Sequence, residues 1–583
     1  MIELNIFEMY KRFYFGEKSG GQIDFEFDSS FQHQGKSFYF QGNVSTFGSI
    51  KIWTNGWFVP RIKYYDEFSS FNSDELIVEL IKKGIRDWNL YIKGNYTLVV
   101  VEDHLVTIMT DPHGLSKVYY RSQANVMEYS NHYSSLLSDH DDVSELYPAL
   151  IALFQHPVGG FLPHKHLRFV ENPSFIFFRD NTIQTEEYLS FCEDRTCQQS
   201  KVEINDLISV FDNCISQTKE YLEIDECLIT LTGGRDTRSV LASLLKNKVT
   251  TSAFTFGFSE GKDVIISKQI CKILKIDFFN PVIEPLTAES YENWVHRLIN
   301  IGDPFIHLHR AHRLHAFMTM KEKKASSRFL WLGCMGGDYS KGVAFNDYIV
   351  TKFIRLYYSD PTNLRVWVTQ ILEENHLKLD VSQLDELIQL IEGLNFLEKN
   401  WTKNAELKLA YHFVGTLHDV QDMLLARYSG LEAFSPFMDI DFMEAQFVSK
   451  YNLYSAHRNS SNPLKKISGG ELQANIICTL FPKLGEIPMA NLYKPKDILG
   501  NKFLYLLKRI YLQILKVKDI PTFAYRDWFL EFVNRYLLLS ENQHLLISSV
   551  NQPKEQEGAW HVYTNKIWIY LLKKQYDVRN IKK

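Results

Sequence analysis

Between Cys227 and Leu274 the chain alternates short apolar runs with helical patterns, and this rhythm constrains the fold more than any other feature of its 583 residues. Cys227-Leu-Ile-Thr-Leu231 is a continuous apolar run of strand length. It is followed at once by Asp236 to Lys246, where Val240, Leu241, Leu244 and Leu245 share one side of a helix. Thr251 to Phe256 repeats the strand and Asp263 to Leu274 the helix. Strands separated by helices cannot pair as hairpins; they imply crossovers, and so a parallel sheet with both faces covered.

The chain before it is patterned differently. Ser37 to Phe40, Ile50 to Trp53, Tyr96 to Val101, Leu105 to Met109 and Ser174 to Phe178 are short runs of β-branched and aromatic residues separated by turn formers, which predicts a β-rich half. The clearest helix there runs from Asp74 to Lys83, with Leu76, Ile77, Leu80 and Ile81 at helical spacing behind Ser73 as a candidate cap. A polar shift around residues 190–203 marks a linker, which predicts domains over 1–190 and 200–583. A chain of this length exceeds one ordinary core. From about residue 350 the pattern is mainly helical, with stripes such as Phe503, Leu507, Ile510, Ile514 and Val517.

Charge and cysteine usage exclude several classes of function. Lys and Arg number 64 against 69 Asp and Glu, a net charge of −5 that gives nucleic acid no electrostatic footprint. The seven cysteines are scattered without a CxxC pair, which argues against a disulfide framework or a zinc site and for a reduced cytoplasm. Met1 to Tyr10 carries acids where a signal peptide needs bases, and no apolar run approaches the roughly 18 residues of a spanning helix. A cytoplasmic protein without membrane insertion is expected.

The chemistry concentrates in Leu228-Ile-Thr-Leu-Thr-Gly-Gly-Arg-Asp-Thr-Arg-Ser-Val-Leu241. A buried strand ends, two glycines turn the backbone, and a helix opens. Glycines let amides approach an anion closely, the helix start adds unpaired N–H groups, and Thr232 and Thr237 add hydroxyls. Neither GxxxxGK[ST] nor GxGxxG is present. Asp236 inside such a cradle implies Mg²⁺ between carboxylate and phosphate, whereas in a plain strand–helix turn it would be a cap. Phe329-Leu-Trp-Leu-Gly-Cys-Met-Gly-Gly-Asp338 repeats the strand, glycines and acid. Two such strand ends in one sheet would set Asp236 and Asp338 on one rim.

These motifs resemble the asparagine synthetase-like ATP-dependent amide ligases. Thr232-Gly-Gly-Arg-Asp-Thr237 is similar to their Ser-Gly-Gly-x-Asp-Ser pyrophosphate loop, with threonine hydroxyls replacing serine. Phe254-Thr-Phe-Gly257 with Asp263-Val264, Gly302-Asp-Pro304, Gly333 to Asp338, Ser435-Pro-Phe-Met-Asp439 and Tyr493-Lys-Pro-Lys496 follow in the family's order. Tyr339 stands where asparagine synthetases proper carry Glu. In the first half, Gly94-Asn-Tyr, Asp111-Pro-His-Gly114, Tyr119-Tyr120 and Asn131-His132 resemble the family's glutaminase-type domain.

The resemblance implies an α/β protein: an Ntn-hydrolase-like β-sandwich, then a parallel-sheet PP-loop ATP pyrophosphatase domain with a helical extension. It implies ATP contacts from Leu231, Thr232, Gly233, Gly234, Asp236, Thr237, Phe256, Leu332 and Gly333, and Mg²⁺ on Asp236 and Asp338. Lys496 would neutralise charge during acyl transfer; Tyr339 would orient or deprotonate an amine, or simply pack. The family's glutaminase works through a mature N-terminal cysteine, but residue 2 is Ile and the first cysteine is Cys192, so the first half is expected to be a structural relic. β-Lactam synthetases and lasso-peptide cyclases share this plan. The expected activity is adenylation of a carboxylate and amide formation with a substrate-borne amine, as in macrolactam closure on a precursor peptide, with a protease or leader-binding protein as companion. An ammonia-dependent asparagine synthetase-like enzyme and a catalytically dead regulatory homologue are the alternatives.

Two further groups stand out. His307, His309, His312 and His315 read as a partly exposed helix start rather than a metal site, with a substrate contact open. Arg238 either reaches phosphate or a substrate carboxylate, or forms a surface salt bridge.

Overall fold

The computed structural model describes residues 10–16, 27–33, 36–123, 126–138, 141–171, 173–180, 182–188, 202–281, 288–336, 351–394, 397, 420–451, 470–489, 492–514, 531–535 and 567. The first half contributes β1 (Phe13–Gly16), β2 (Ser29–His33), β3 (Lys36–Phe40), β4 (Ser45–Phe47), β5 (Ile50–Pro60) and β6 (Ile92–Glu102). They are followed by β7 (Leu105–Thr110), β8 (Tyr119–Gln123), β9 (Val126–Ser130), β10 (Leu167–Phe169), β11 (Ser174–Arg179) and β12 (Thr182–Glu187). These make two antiparallel sheets, in the orders β10-β8-β9-β1-β3-β2 and β12-β11-β7-β6-β5-β4.

Strand β6 shows why the sheets stack. Its side chains alternate, so Val99 and Val101 join Phe13, Phe15, Phe38 and Phe40 of the facing sheet in one core. Tyr96, Leu98 and Val100 point the other way, onto Leu76, Ile77 and Leu80 of the helix Ser73–Lys82. Both faces of the second sheet are therefore covered, which explains the continuous apolar run. That helix is capped by Asn72 and not by Ser73: Glu75 donates its amide to Asn72 Oδ1 and accepts from the Asn72 amide, both at 3.0 Å.

The second half holds β13 (Glu226–Thr230), β14 (Thr250–Phe254), β15 (Asp277–Phe279), β16 (Phe329–Trp331) and β17 (Glu432–Phe434). All pair in parallel, in the order β15-β14-β13-β16-β17. The helices Asp236–Lys246 and Lys262–Leu274 follow β13 and β14 as the periodicity predicts. The two halves share a core. Trp57 of β5 meets the rings of Phe329 and Phe434 at centroid distances of 5.4 and 4.9 Å.

Three sequence expectations need qualification. The predicted linker and both domain borders fall mostly on residues 189–201, outside those described. The Phe503, Leu507 and Ile510 stripe lies on the helix Lys502–Ile514 as expected, yet these side chains are 60%, 48% and 54% exposed; Val517 lies outside the described residues. Among the described residues no helix is long and apolar enough to cross a membrane.

Candidate functional site

The strand order fixes where a ligand belongs. From β13 the chain steps outward to β14 and β15, then crosses to the other side of β13 to lay down β16. The carboxyl ends of β13 and β16 thus flank a topological switch point, the usual ligand crevice of an open parallel sheet. Residues 231–235 leave one strand and 332–336 the other. Each loop is anchored by one more interstrand bond, from Leu231 N to Phe254 O at 2.9 Å and from Leu332 N to Phe434 O at 2.8 Å.

The loops are interlocked. A Cβ on Gly333 would lie 2.7 Å from the Thr237 amide nitrogen, and one on Gly336 would lie 2.7 Å from the Asp236 Cβ. Only glycine permits this approach, which accounts for Gly333 and Gly336 of the second motif. Gln473, buried on the helix Glu471–Leu480, fastens the junction: its Nε2 donates to Asp236 Oδ1 at 3.0 Å and to the Gly336 carbonyl. Asp236 also opens its helix, where a negative side chain suits the positive dipole end.

The first loop is held in shape by its own hydrogen bonds. The Thr232 amide donates to Thr237 Oγ1 at 3.1 Å, the Gly234 amide to Thr232 Oγ1 at 3.2 Å, and the Gly233 amide to Asp263 Oδ1 at 2.8 Å. A carboxylate oxygen on the Gly233 amide shows that this turn accepts an anionic oxygen. Thr255 and Ser267 donate their hydroxyls to the Leu231 carbonyl, at 2.5 and 3.0 Å, and hold the strand end.

The remaining predicted residues are distributed as follows. Phe256 sits just past β14, with the His312 ring 5.8 Å and the Arg313 guanidinium 5.8 Å from its centroid. Lys496 is on the short helix Pro495–Leu499, paired with Glu486 at 2.5 Å and with no described contact to either glycine loop. Asp338 and Tyr339 lie outside the described residues.

Arg238 is neither a phosphate ligand nor a surface ion pair. It is fully buried and donates to the carbonyls of Ile487 and Pro488 at 2.8 and 2.7 Å, and burial pulls its pKa down to about 10. It tethers the segment that leads to Lys496. Two of the histidines are likewise packed into the structure: His312 is buried against the His309 carbonyl at 3.1 Å, and His315 stacks on Trp294 at 4.3 Å. Burial depresses both, His315 to about 4.

Residues of the first half reach the site's support. Ser435 donates its hydroxyl to the Cys334 carbonyl at 2.6 Å, at the head of the turn Pro436–Met438. At the foot of that turn the Lys93 ammonium lies 2.8 Å from Asp439 and 3.0 Å from Asp441. Burial lowers the Lys93 pKa, but Asp439 and Asp441 outweigh it and hold the group above its ordinary value. The Asn95, Asp111 and Asn131 side chains are engaged in packing. Asn95 Oδ1 accepts from Arg427 and Ser116, both at 3.0 Å, Asp111 caps the amides of His113, Leu115 and Ser116, and Asn131 Oδ1 accepts from the Phe13 amide.

Sequence reasoning missed Gln473 and Lys93. Gln473 carries no local signal, being 237 positions from its partner. Lys93 did carry one: a lysine within an apolar strand is rarely buried unless it is paired.

No protein-family model and no curated protein matches the chain. Among solved structures, it is similar to NMN synthetase from Francisella tularensis, with 13% identity and a TM-score of 0.21 over 36% of this chain and 93% of that one. It is also similar to the glutamine phosphoribosylpyrophosphate amidotransferase of B. subtilis in complex with ADP and GMP, with 10% identity and a TM-score of 0.19 over 52% and 68% of the two chains. The allosteric regulatory enzyme of purine biosynthesis shares 12% identity at a TM-score of 0.20, over 39% of this chain and 55% of its own. Likenesses of this size carry no argument about activity, which rests on the site itself.

Proposed function

We propose that the protein is an ATP- and Mg²⁺-dependent ligase of asparagine synthetase-like plan that adenylates a carboxylate and joins it to an amine borne by the same substrate. A macrolactam formed on a precursor peptide is the product class that fits best. The observation that supports this reading is the interlock at the switch point, where Gly336 and Gln473 hold Asp236 at the mouth of a preshaped Thr-Gly-Gly turn.

The donor set fits the group it would hold. Asp236 offers carboxylate oxygens, which suit a hard cation, and the Gly233 amide, which holds the Asp263 carboxylate here, would exchange that oxygen for one of phosphate. Thr232, Gly233, Gly234 and Thr237 would cradle pyrophosphate, with Leu231, Phe256, Leu332 and Gly333 along the nucleotide. Asp236, with Asp338, would hold the cation. Mg²⁺, when bound, supplies the neutralising charge that lets phosphate sit beside these acids.

The reaction has two steps. The substrate carboxylate attacks the α-phosphorus of ATP, the α–β anhydride bond breaks, and pyrophosphate leaves. The amine nitrogen then attacks the acyl carbon, AMP departs with the bonding pair, and the amine proton passes to solvent. Lys496 would have to leave Glu486 to steady that transfer, and an exposed ion pair yields readily. The first half acts as support, with Asn95 already engaged by Arg427.

The test is exchange of labelled pyrophosphate into ATP, dependent on added peptide carboxylate. Exchange is expected with wild type and should vanish in Asp236→Ala while circular dichroism is unchanged. Full activity in that variant would overturn the assignment. The pairing of Lys496 with Glu486 favours a second reading, a nucleotide-binding regulatory homologue. Tight MgATP binding without exchange for any peptide or free carboxylate would establish it.

A further inference from the structure

We infer that the antiparallel sandwich sets the position of the second glycine loop, with Lys93 as a positioning residue; its bearing on ATP rests on the function proposed above. Lys93 lies on β6, in the first half, and is 2% exposed. Its ammonium is shared by Asp439 and Asp441, and Arg61 of the same half reinforces the grip with contacts of 2.7 Å to Asp441 and 2.6 Å to Glu444.

From there the path to the nucleotide loop is one short turn. Asp439 ends the 3₁₀ turn Pro436–Met438 and caps the helix Ile440–Phe447 by accepting from the Asp441 amide at 2.9 Å. His113, also from the first half, contacts the Met438 carbonyl through Nε2 at 2.5 Å. At the other end of the turn Ser435 holds the Cys334 carbonyl. The Phe437 ring also presses on Gly336, where a Cβ would come within 2.8 Å of it. A turn this short, fixed at its foot and bonded to the loop at its head, has little freedom to absorb a shift. The junction leaves only a cavity of about 20 Å³ beside Lys93, Asn95, His113 and Asp439, room for a single water.

The charge count explains why removing Lys93 should act at a distance. Without it, buried Asp439 and half-buried Asp441 are neighbouring carboxylates, with Arg61 against Asp441 as the remaining described cation. Stranded buried charge is relieved by moving the backbone or taking up a proton. Movement of Asp439 is transmitted through Ser435 and Phe437 to residues 332–336.

Two readouts test this on the full-length chain. The first is hydrogen–deuterium exchange of residues 332–336 in the free protein, and the second is the dissociation constant for MgATP. Lys93→Met is expected to speed exchange there and to weaken MgATP, each by about tenfold, and Lys93→Arg to restore both. In a Ser435→Ala background, Lys93→Met should weaken MgATP by clearly less than in the wild-type background, because one of the two links to the loop, the hydrogen bond, is already cut. If Lys93→Met does not fold, Lys93→Met with Asp439→Asn removes the stranded charge but still lacks the tether from β6, so exchange at 332–336 faster than wild type, by less than about tenfold, is expected.

A folded variant with lowered thermal stability but wild-type exchange at 332–336 would overturn the inference. So would effects of Lys93→Met and Ser435→Ala that simply multiply. If wild type binds no MgATP, the proposed function fails, while the exchange measurement still decides the coupling.

Discussion

Gln473 donates one amide hydrogen to Asp236 at 3.0 Å and the same nitrogen reaches the Gly336 carbonyl, so a single buried side chain ties the two glycine loops together. Replacing it with Leu keeps much of the volume and removes the tie. Hydrogen bonds to charged groups are worth roughly 1.5–3 kcal/mol, so MgATP affinity should fall at least about tenfold. Thermal stability should drop by only about 1–3 °C in a chain of this length. Calorimetric titration and a melting curve on one preparation check both.

Gly336→Ala should be far more damaging than an ordinary glycine replacement. Its new methyl would stand 2.7 Å from the Asp236 Cβ and 2.8 Å from the Phe437 ring, both held in place by packing. Gly393→Ala is the control, since its Cβ would meet nothing closer than 3.4 Å. Loss of MgATP binding is expected for the first and wild-type affinity for the second.

Acid should loosen the junction between the halves. Burial pushes the Asp441 carboxyl up, but Lys93 and Arg61 outweigh it and bring the pKa from 3.8 down to about 2. The unfolded chain therefore takes up this proton first, and the contribution of Asp441 is present above about pH 4 and fades as pH falls toward 2. Asp441→Asn should flatten that part of the stability profile, measured by urea unfolding at stepped pH.

Arg238→Lys should destabilise despite keeping the charge. A single ammonium cannot reproduce the fork that serves the carbonyls of Ile487 and Pro488, and a buried cation left short of acceptors is costly, about 2–3 kcal/mol. Arg238→Met is expected to cost less than the lysine variant, because it leaves no charge behind. Chemical denaturation midpoints order the two.

Much of this architecture was legible in the sequence because it is written in local periods. The helix over Asp236–Lys246 and the strands at Cys227 and Phe329 follow from apolar spacing and the glycines beyond them. What escaped was what tertiary contact decides. Arg238 occupies the first turn of a helix that opens a phosphate-like cradle, yet its guanidinium turns away to two carbonyls almost 250 positions on. Asn72 outcompeted Ser73 as cap because Glu75 closes a reciprocal pair with it. The partners of Lys93, Asp439 and Asp441, lie more than three hundred positions along the chain, beyond any window of sequence pattern.

The indole of Trp57, wedged against Phe329 and Phe434, has a consequence for any attempt to pare this protein down. A fragment beginning after β12 would expose Phe329, at the base of the strand that leads to the second glycine loop, and Phe434 on the neighbouring strand, and it is expected to aggregate. Whatever chemistry the leading half does, the trailing half needs that surface covered.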